Sequence, residues 1–418
     1  MKKILAILLI LQTSMTMALT IHCGQVFDAN TGLMKSNQYI ETQDGLFSKI
    51  EDYADHKVDV DASNQYCVPG LIDMHTHLSF EFSRTSYTDK FKLNEADYAF
   101  QSAMYAKRIL KAGFTTVRDL GDVFNVTIAL RNAIKKGTVQ GPRIYTAAQA
   151  LATTGGHADP TNGYRQGLLP NPGPKNGVVN GIAQAAQAVR QRYQDGADLI
   201  KITATGGVLS EAASGDNAQF NMEELKSIIA TANDYGFKVA AHAHGKEGMK
   251  RAIIAGVSSI EHGTYSDAEI RGLMKQYGTY LVPTLIAGDW VTEKSKVKGF
   301  FPDVVAKKAA TIGPIIANSF EKAHKAGVNI AFGTDSGVSA HGDNGKEFAL
   351  MVKAGMSAKD ALKAATINAA TLLGQSKNLG SIEVGKYADM VIVNDNPLEK
   401  IETMENVQKV IKAGKVEF

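Results

Sequence analysis

Four times after residue 70 the chain repeats one unit: a helical stretch closes on a small residue and Gly, and a short apolar run follows at once. Lys111-Ala112-Gly113 precedes Phe114-Thr115-Thr116-Val117, and Asp195-Gly196-Ala197 precedes Asp198-Leu199-Ile200-Lys201. Ala255-Gly256 precedes Val257-Ser258-Ser259-Ile260, and Ala326-Gly327 precedes Val328-Asn329-Ile330-Ala331-Phe332. Gly at a helix C′ position adopts the left-handed conformation that ends the helix. Apolar runs that do not alternate are buried on both faces, as parallel strands are. Eight such strands are expected, at 71–77, 114–120, 143–149, 198–204, 238–243, 257–262, 279–285 and 328–334. Helical patterns separate nearly all of them, and two helix starts carry capping pairs, Asn221 with Glu224 and Ser266 with Glu269. The expected fold is an α/β (β/α)8 TIM barrel. A doubly wound open sheet is the alternative, but no Gly-x-Gly-x-x-Gly turn follows the first strand.

The chain of 418 residues is longer than a barrel of about 250 residues needs. The excess lies at the two ends. Residues 19–69 hold short β-like runs (Leu19 to Cys23, Gln38 to Glu41, Phe47 to Glu51, Val58 to Asp61), and residues 378–418 hold Met390 to Val393 and Val407 to Val416. Neither flank makes a core alone, so the two are expected to combine as a small β-sandwich beside a barrel over 70–377. Residues 1–18 read as a signal peptide, with Lys2-Lys3 as charged start, Ile4 to Leu11 as apolar stretch and a cleavage site near Ala18. The mature chain is then expected to be secreted or periplasmic, with no membrane span. An exported compartment permits a Cys23–Cys67 disulfide; spacing alone leaves that open. The formal charge is +3, of which Lys2 and Lys3 supply two, and no basic cluster stands out. Nucleic acid is not an expected partner.

The polar residues on the strands carry the chemistry. His75 and His77 close the first strand and, two residues apart, point to one face. Lys201 interrupts the apolar run Leu199-Ile200-Lys201-Ile202, where an unpaired ammonium is costly. His242 ends the fifth strand, His262 the sixth and Asp335 the eighth. Seven of ten histidines (75, 77, 157, 242, 244, 262 and 341) fall at strand ends or in the loops just after them. In a (β/α)8 enzyme the C-terminal strand ends carry the active site, and imidazole is a common ligand for zinc. Arg118 and Asp119, closing the second strand, read as a structural pair, and Glu261 should face away from its neighbour His262.

Pro69-Gly70-Leu71-Ile72-Asp73-Met74-His75-Thr76-His77, Lys201, His242, Ile260-Glu261-His262-Gly263 and Gly333-Thr334-Asp335 together resemble the amidohydrolase superfamily. So does Leu379 to Asp389, which looks like that family's return into its sandwich. Thr153 to Asp159 and His341-Gly342-Asp343-Asn344 are similar to the imidazolonepropionase-related, Xaa-Pro dipeptidase-like branch. The resemblance implies two divalent metal ions, usually zinc. His75, His77 and Asp335 would hold one, His242 and His262 the other, and Lys201, as N6-carboxylysine, would bridge both. Asp335 would also be the catalytic base. His157, His244, Tyr265 and His341 are the expected substrate-binding residues. The implied reaction is hydrolysis of a small-molecule amide, releasing the C-terminal amino acid of dipeptides or N-acyl amino acids. The alternatives are hydrolysis of a cyclic amide or lactam and, from another class, a non-catalytic scaffold protein. A homo-oligomer is compatible with this reading.

Overall fold

A computed structural model describes residues 18–212 and 214–418; the leader expected over 1–18 lies outside the described residues except for Ala18. Strands β1 (Leu19–Asp28), β2 (Leu33–Gln43), β3 (Leu46–Asp52) and β4 (Val60–Pro69) come from the N-terminal end. They share one mixed seven-stranded sheet with the C-terminal strands, which lie beyond the strands β5–β11 described below: β12 (Met390–Val393), β13 (Lys409–Lys412) and β14 (Lys415–Val416). The two ends meet where β12 runs antiparallel to β4, pairing Met390 with Pro69 and Ile392 with Cys67.

The two flanks thus pair, as one mixed sheet that curls. Its β3 edge returns to the chain just before β12, where Phe47 N–H donates to Lys386 O and Ala388 N–H to Gly45 O, both at 2.9 Å. Register shifts at Cys23/Gln25 and Glu41/Thr42 bend β1 and β2 enough to allow this. Gly24 sits in the first of them, where a Cβ would lie 2.1 Å from Ser63 O. The curl wraps Ile21, Ile40, Phe47, Met390 and Ile411 into a core of their own. Cys23 and Cys67 form a disulfide across β1 and β4 inside that core, with Cα atoms 6.1 Å apart.

Between the ends, β5 (Leu71–Thr76), β6 (Phe114–Asp119) and β7 (Arg143–Thr146) form one parallel sheet. β8 (Ile200–Thr203), β9 (Val239–Ala243), β10 (Ser259–His262) and β11 (Tyr280–Val282) form another. Helices such as Glu95–Lys111, Ile182–Asp195, Met222–Asp234 and Lys246–Ala255 alternate with the strands. The Asn221/Glu224 capping box forms as expected, with Glu224 N–H donating to Asn221 Oδ1 at 2.8 Å. The other cap falls one residue later than expected. Asp267 accepts from Ile270 N–H at 3.0 Å, while the Ser266 hydroxyl bonds Ser319. Both types cap well, and the Ser319 contact leaves Asp267 the free acceptor.

The two sheets are linked at both sides. Leu151 bridges Ile202 of β8. On the other side the run expected as strand 328–334 forms no regular strand, yet Ile330 bridges Leu281 and Ser336 bridges Thr76. Met74 N–H donates to Phe332 O and Asp335 N–H to His75 O, at 2.9 and 2.8 Å. Just beyond the run Asp335 takes a left-handed φ of 56°.

Replacing both cysteines by Ser should lower stability by about 4 kcal/mol on the chain-entropy account of a loop of this size. Chemical denaturation against the parent checks this, and an unchanged midpoint would show that the bridge adds nothing.

Candidate metal centre

All six expected ligands come together: His75, His242 and His262 at or next to the C-terminal ends of β5, β9 and β10, His77 just after β5, Lys201 inside β8, and Asp335 after the irregular 328–334 run. His75, His77 and Asp335 form one cluster, and His242, His244 and His262 form a second, the three potential ligand atoms of each within 4.8 Å of one another. The two clusters adjoin, with the His75 and His262 rings 5.1 Å apart. Lys201 Nζ lies 3.4 Å from His75 Nε2 and is buried, 3 % exposed. His244, expected to bind substrate, thus belongs spatially to the second cluster.

Hydrogen bonds decide which nitrogen is bare in three of the rings, His75, His77 and His242. His75 Nδ1 lies 2.9 Å from Glu261 Oε2, and His77 Nδ1 lies 3.0 Å from the Gly121 carbonyl. A carboxylate and a carbonyl only accept, so both Nδ1 atoms carry hydrogen. In the neutral ring that leaves Nε2 as a lone pair. His242 is reversed: its Nε2 lies 3.0 Å from Gly206 O, which leaves Nδ1 bare. His262 and His244 each place Nδ1 2.7 Å from a threonine hydroxyl, Thr284 and Thr264. Pinning one ring nitrogen so that the other faces a metal is the usual support of ligand histidines.

The donor set fits a cation. Asp335 Oδ1 lies 3.3 Å from His75 Nε2 and 3.2 Å from His77 Nε2, but it is buried without a hydrogen bond of acceptable geometry to either. Unless positive charge sits among them, lone pairs face one another there. Burial, then the Lys201 charge, push the His75 imidazole well below its usual range. Burial also depresses His242 and His262, reinforced by the surrounding histidines and Lys201. Burial pushes the Asp335 carboxyl up, but His75, His77 and Lys201 outweigh it and hold it below the ordinary carboxylate value. Burial brings the Lys201 ammonium down to about 8, against the opposing pull of Glu261 and Asp335, so the neutral amine is far more accessible than in an exposed lysine.

The backbone is bent to present these groups. His262 at the end of β10 (φ 70°), Thr284 just past β11 (φ 54°) and Asp335 after the irregular run (φ 56°) are all left-handed. For a β-branched threonine that conformation is costly, and such strain persists only where neighbours impose it. Beyond Thr284, the buried Glu347 accepts from Leu285 N–H (2.9 Å) and Ile286 N–H (2.7 Å), anchoring the helix that starts there.

The other expected substrate residues divide. His157 stacks on His242 with ring centroids 4.3 Å apart, and its Nδ1 is buried without a partner. Burial takes its imidazole down to about 3 and that of His244 down to about 4. Tyr265 lies at the rim, 41 % exposed. His341 is engaged elsewhere, its Nδ1 bonded to Ser336 Oγ and its ring edge-on to Tyr105 at 4.3 Å.

Two supports escaped the sequence reading. Arg118 does not pair with Asp119. It donates to Glu261 Oε1 (2.9 Å), Met74 O (2.7 Å) and Ser259 Oγ (3.1 Å), while Asp119 accepts from Leu78 N–H. Glu261 lies outside both ligand clusters, yet it holds His75, a residue of the other cluster from its neighbour His262. A carboxylate inside the run Ser259-Ile260-Glu261-His262 was the available signal, since a buried charge needs a partner.

Two adjoining groups of side chains, imidazoles and one carboxylate beside a buried lysine, could each hold a metal ion. The amidohydrolase family profile matches residues 66–416, and the chain belongs to that family. A crystal structure of a Xaa-Pro dipeptidase with methionine bound in its active site is similar over 96 % of this chain and 99 % of that one, at 48 % identity and a TM-score of 0.93. Ochratoxinase of Aspergillus niger is 33 % identical over 365 residues, covering 84 % of this chain and 75 % of the enzyme. A probable imidazolonepropionase of Nematostella vectensis is 24 % identical, covering 86 % of this chain and 82 % of that protein.

Glu261→Gln keeps the shape but loses the charge that holds His75 and Arg118. Affinity for a divalent cation should fall about 10- to 100-fold. Titration of metal-stripped protein reads this, and unchanged affinity would reduce the Arg118–Glu261–His75 line to packing.

Proposed function

We propose that this chain is a binuclear metal-dependent amidohydrolase that releases the C-terminal amino acid from dipeptides or N-acyl amino acids. The observation that carries the reading is the convergence of bare imidazole nitrogens on Asp335 Oδ1 beside Lys201. The Xaa-Pro dipeptidase that holds methionine in its active site supports the substrate class, because a free amino acid is what peptide hydrolysis leaves behind. On this reading the two parallel sheets and the 328–336 run form one closed (β/α)8 barrel, with the curled sheet of 19–69 and 378–418 as its satellite.

His75, His77 and Asp335 would hold one divalent ion and His242 and His262 the other, zinc being the ordinary choice for such a donor set. Lys201 would add carbon dioxide through its neutral amine, losing one N–H proton to solvent, and as N6-carboxylysine would supply an anionic ligand between the two groups. When bound, such ions polarise an amide carbonyl and make water acidic enough to attack near neutral pH. Asp335 accepts the proton of the attacking water and passes it to the departing amide nitrogen. His157 and His244, kept neutral by burial, donate to the substrate carbonyl or carboxylate, with Tyr265 at the entrance. A disulfide in the terminal sheet supports an exported, oxidising location for the mature chain. Among the described residues no helix is long and apolar enough to cross a membrane.

The imidazolonepropionase relative favours a second reading, a cyclic amide as substrate. A panel of dipeptides varied at the C-terminal residue, assayed beside cyclic amides on protein of measured metal content, separates the two. The expected result is dipeptide turnover with close to two divalent ions per chain and loss of activity on chelation. Activity without stoichiometric metal, or on cyclic amides alone, would overturn the first reading. Lys201→Ala should lose both activity and bound metal.

Asp335→Asn keeps the shape of the side chain and an oxygen acceptor while removing the base. With metal largely retained, kcat should fall by about 10²- to 10⁴-fold and KM far less, because the proton moves only in the transition state. Near-normal turnover at full metal content would exclude Asp335 as the base.

A further inference from the structure

The loop after β8 folds over the metal centre as a strap. Its base is closed by a bridge between Thr205 and Ala218 and by Gly206 N–H donating to Asn217 O at 3.0 Å. Gly206 O is the acceptor that fixes the tautomer of His242. Gly207 lies flat on His157, so close that a Cβ there would sit 2.2 Å from the ring. Two of the site's imidazoles therefore keep their arrangement only while the strap is down.

A lysine from a distant part of the chain holds it there. Lys308, on the helix Asp303–Ala309, donates to Gly207 O at 2.9 Å, Ser210 O at 2.7 Å and Ala212 O at 2.8 Å. An ammonium has three hydrogens, and all three are used on one loop. Among the described residues no carboxylate pairs with Lys308, so the strap's carbonyl dipoles are its counter-charge. Tyr87 adds a fourth tie, its hydroxyl donating to Leu209 O at 3.2 Å. Beneath, Val208 and Leu209 pack into an apolar cluster with Phe82, Trp290, Phe301 and Val305. His242, which the strap touches, is 5 % exposed.

We propose that Lys308 is a positioning residue of the metal centre: by saturating its ammonium with the carbonyls of Gly207, Ser210 and Ala212, it holds the 205–212 arm of the strap shut, with Gly206 on His242 and Gly207 on His157. Closure of the strap and competence of His242 as a ligand are then one event. The inference rests on the metal-centre reading above.

The test is hydrogen exchange on the full chain, read in peptides covering 204–220 with peptides of the terminal sheet as internal reference. Metal content, kcat and KM are measured on the same preparations. Lys308→Met keeps the stem and loses the donors. Strap exchange should rise about 10-fold or more, because hydrogen bonds from a charged donor are lost, while the terminal sheet is unchanged. Metal affinity and kcat/KM should fall about 10-fold or more, as for other lost supports of a ligand histidine. Tyr87→Phe, a change too mild to threaten folding, should shift strap exchange in the same direction by less. Lys307→Met, which removes a charge from the exposed face of the same helix, should change nothing. Unchanged strap exchange in Lys308→Met overturns the clasp. Faster exchange with metal affinity and kcat/KM intact overturns the positioning role. Absence of metal from the parent protein would sink the metal reading instead, and strap exchange in the metal-free chain would still decide the clasp.

Discussion

Buried lone pairs that face one another are the constraint on which this structure turns. The Glu261 carboxylate and the Gly121 carbonyl each claim a hydrogen from an imidazole, and so leave the nitrogens of His75 and His77 bare toward Asp335. Burial pulls the His77 imidazole down, but Asp335 outweighs it and raises it above its ordinary value, so a proton there relieves part of the conflict. A cation resolves it in one step. Much of the surrounding architecture serves to hold the groups in a geometry that is unfavourable by itself.

That support comes in layers. Arg118 neutralises Glu261, which in turn holds His75, so the charge of one strand fixes the tautomer of a residue on another. Asp73 accepts from His75 N–H and from both the backbone and the hydroxyl of Thr334, tying the strand of His75 to the run that presents Asp335. Glu347 anchors the helix after Thr284, whose hydroxyl supports His262. Burial raises Asp73 to about 6 and Glu347 to about 8, the cost of placing carboxylates where they orient others. Left-handed backbone at His262, Thr284 and Asp335 adds to that cost.

The terminal sheet solves a different problem. Each flank is too short to bury a core, and the pairing of β12 with β4 joins them next to the start of β5, the strand that carries His75. The Cys23–Cys67 bridge fastens β1 to β4 within that sheet. The strand leading into the metal centre thus leaves a cross-linked element rather than a free chain end.

Local chemistry made much of this legible in the sequence. Gly-terminated helices and non-alternating apolar runs marked the parallel strands, because helix ends and buried strands depend on near neighbours. A lysine in an apolar run and histidines at strand ends marked the candidate ligands, because a buried charge or imidazole needs a partner wherever the chain finds one. Tertiary structure alone decided who the partners were. Arg118 meets Glu261 across 143 residues, Gly206 meets His242 across 36, and Lys308 reaches back 101 residues to Gly207. A backbone carbonyl leaves no trace in a residue pattern, so the tautomer of His242 and the grip on the strap were invisible before folding. The single curled sheet was equally hidden, since which edges pair depends on bulges and twist accumulated over both chain ends. Sequence thus determined which residues would be buried and reactive; only the fold determined which lone pairs would face one another.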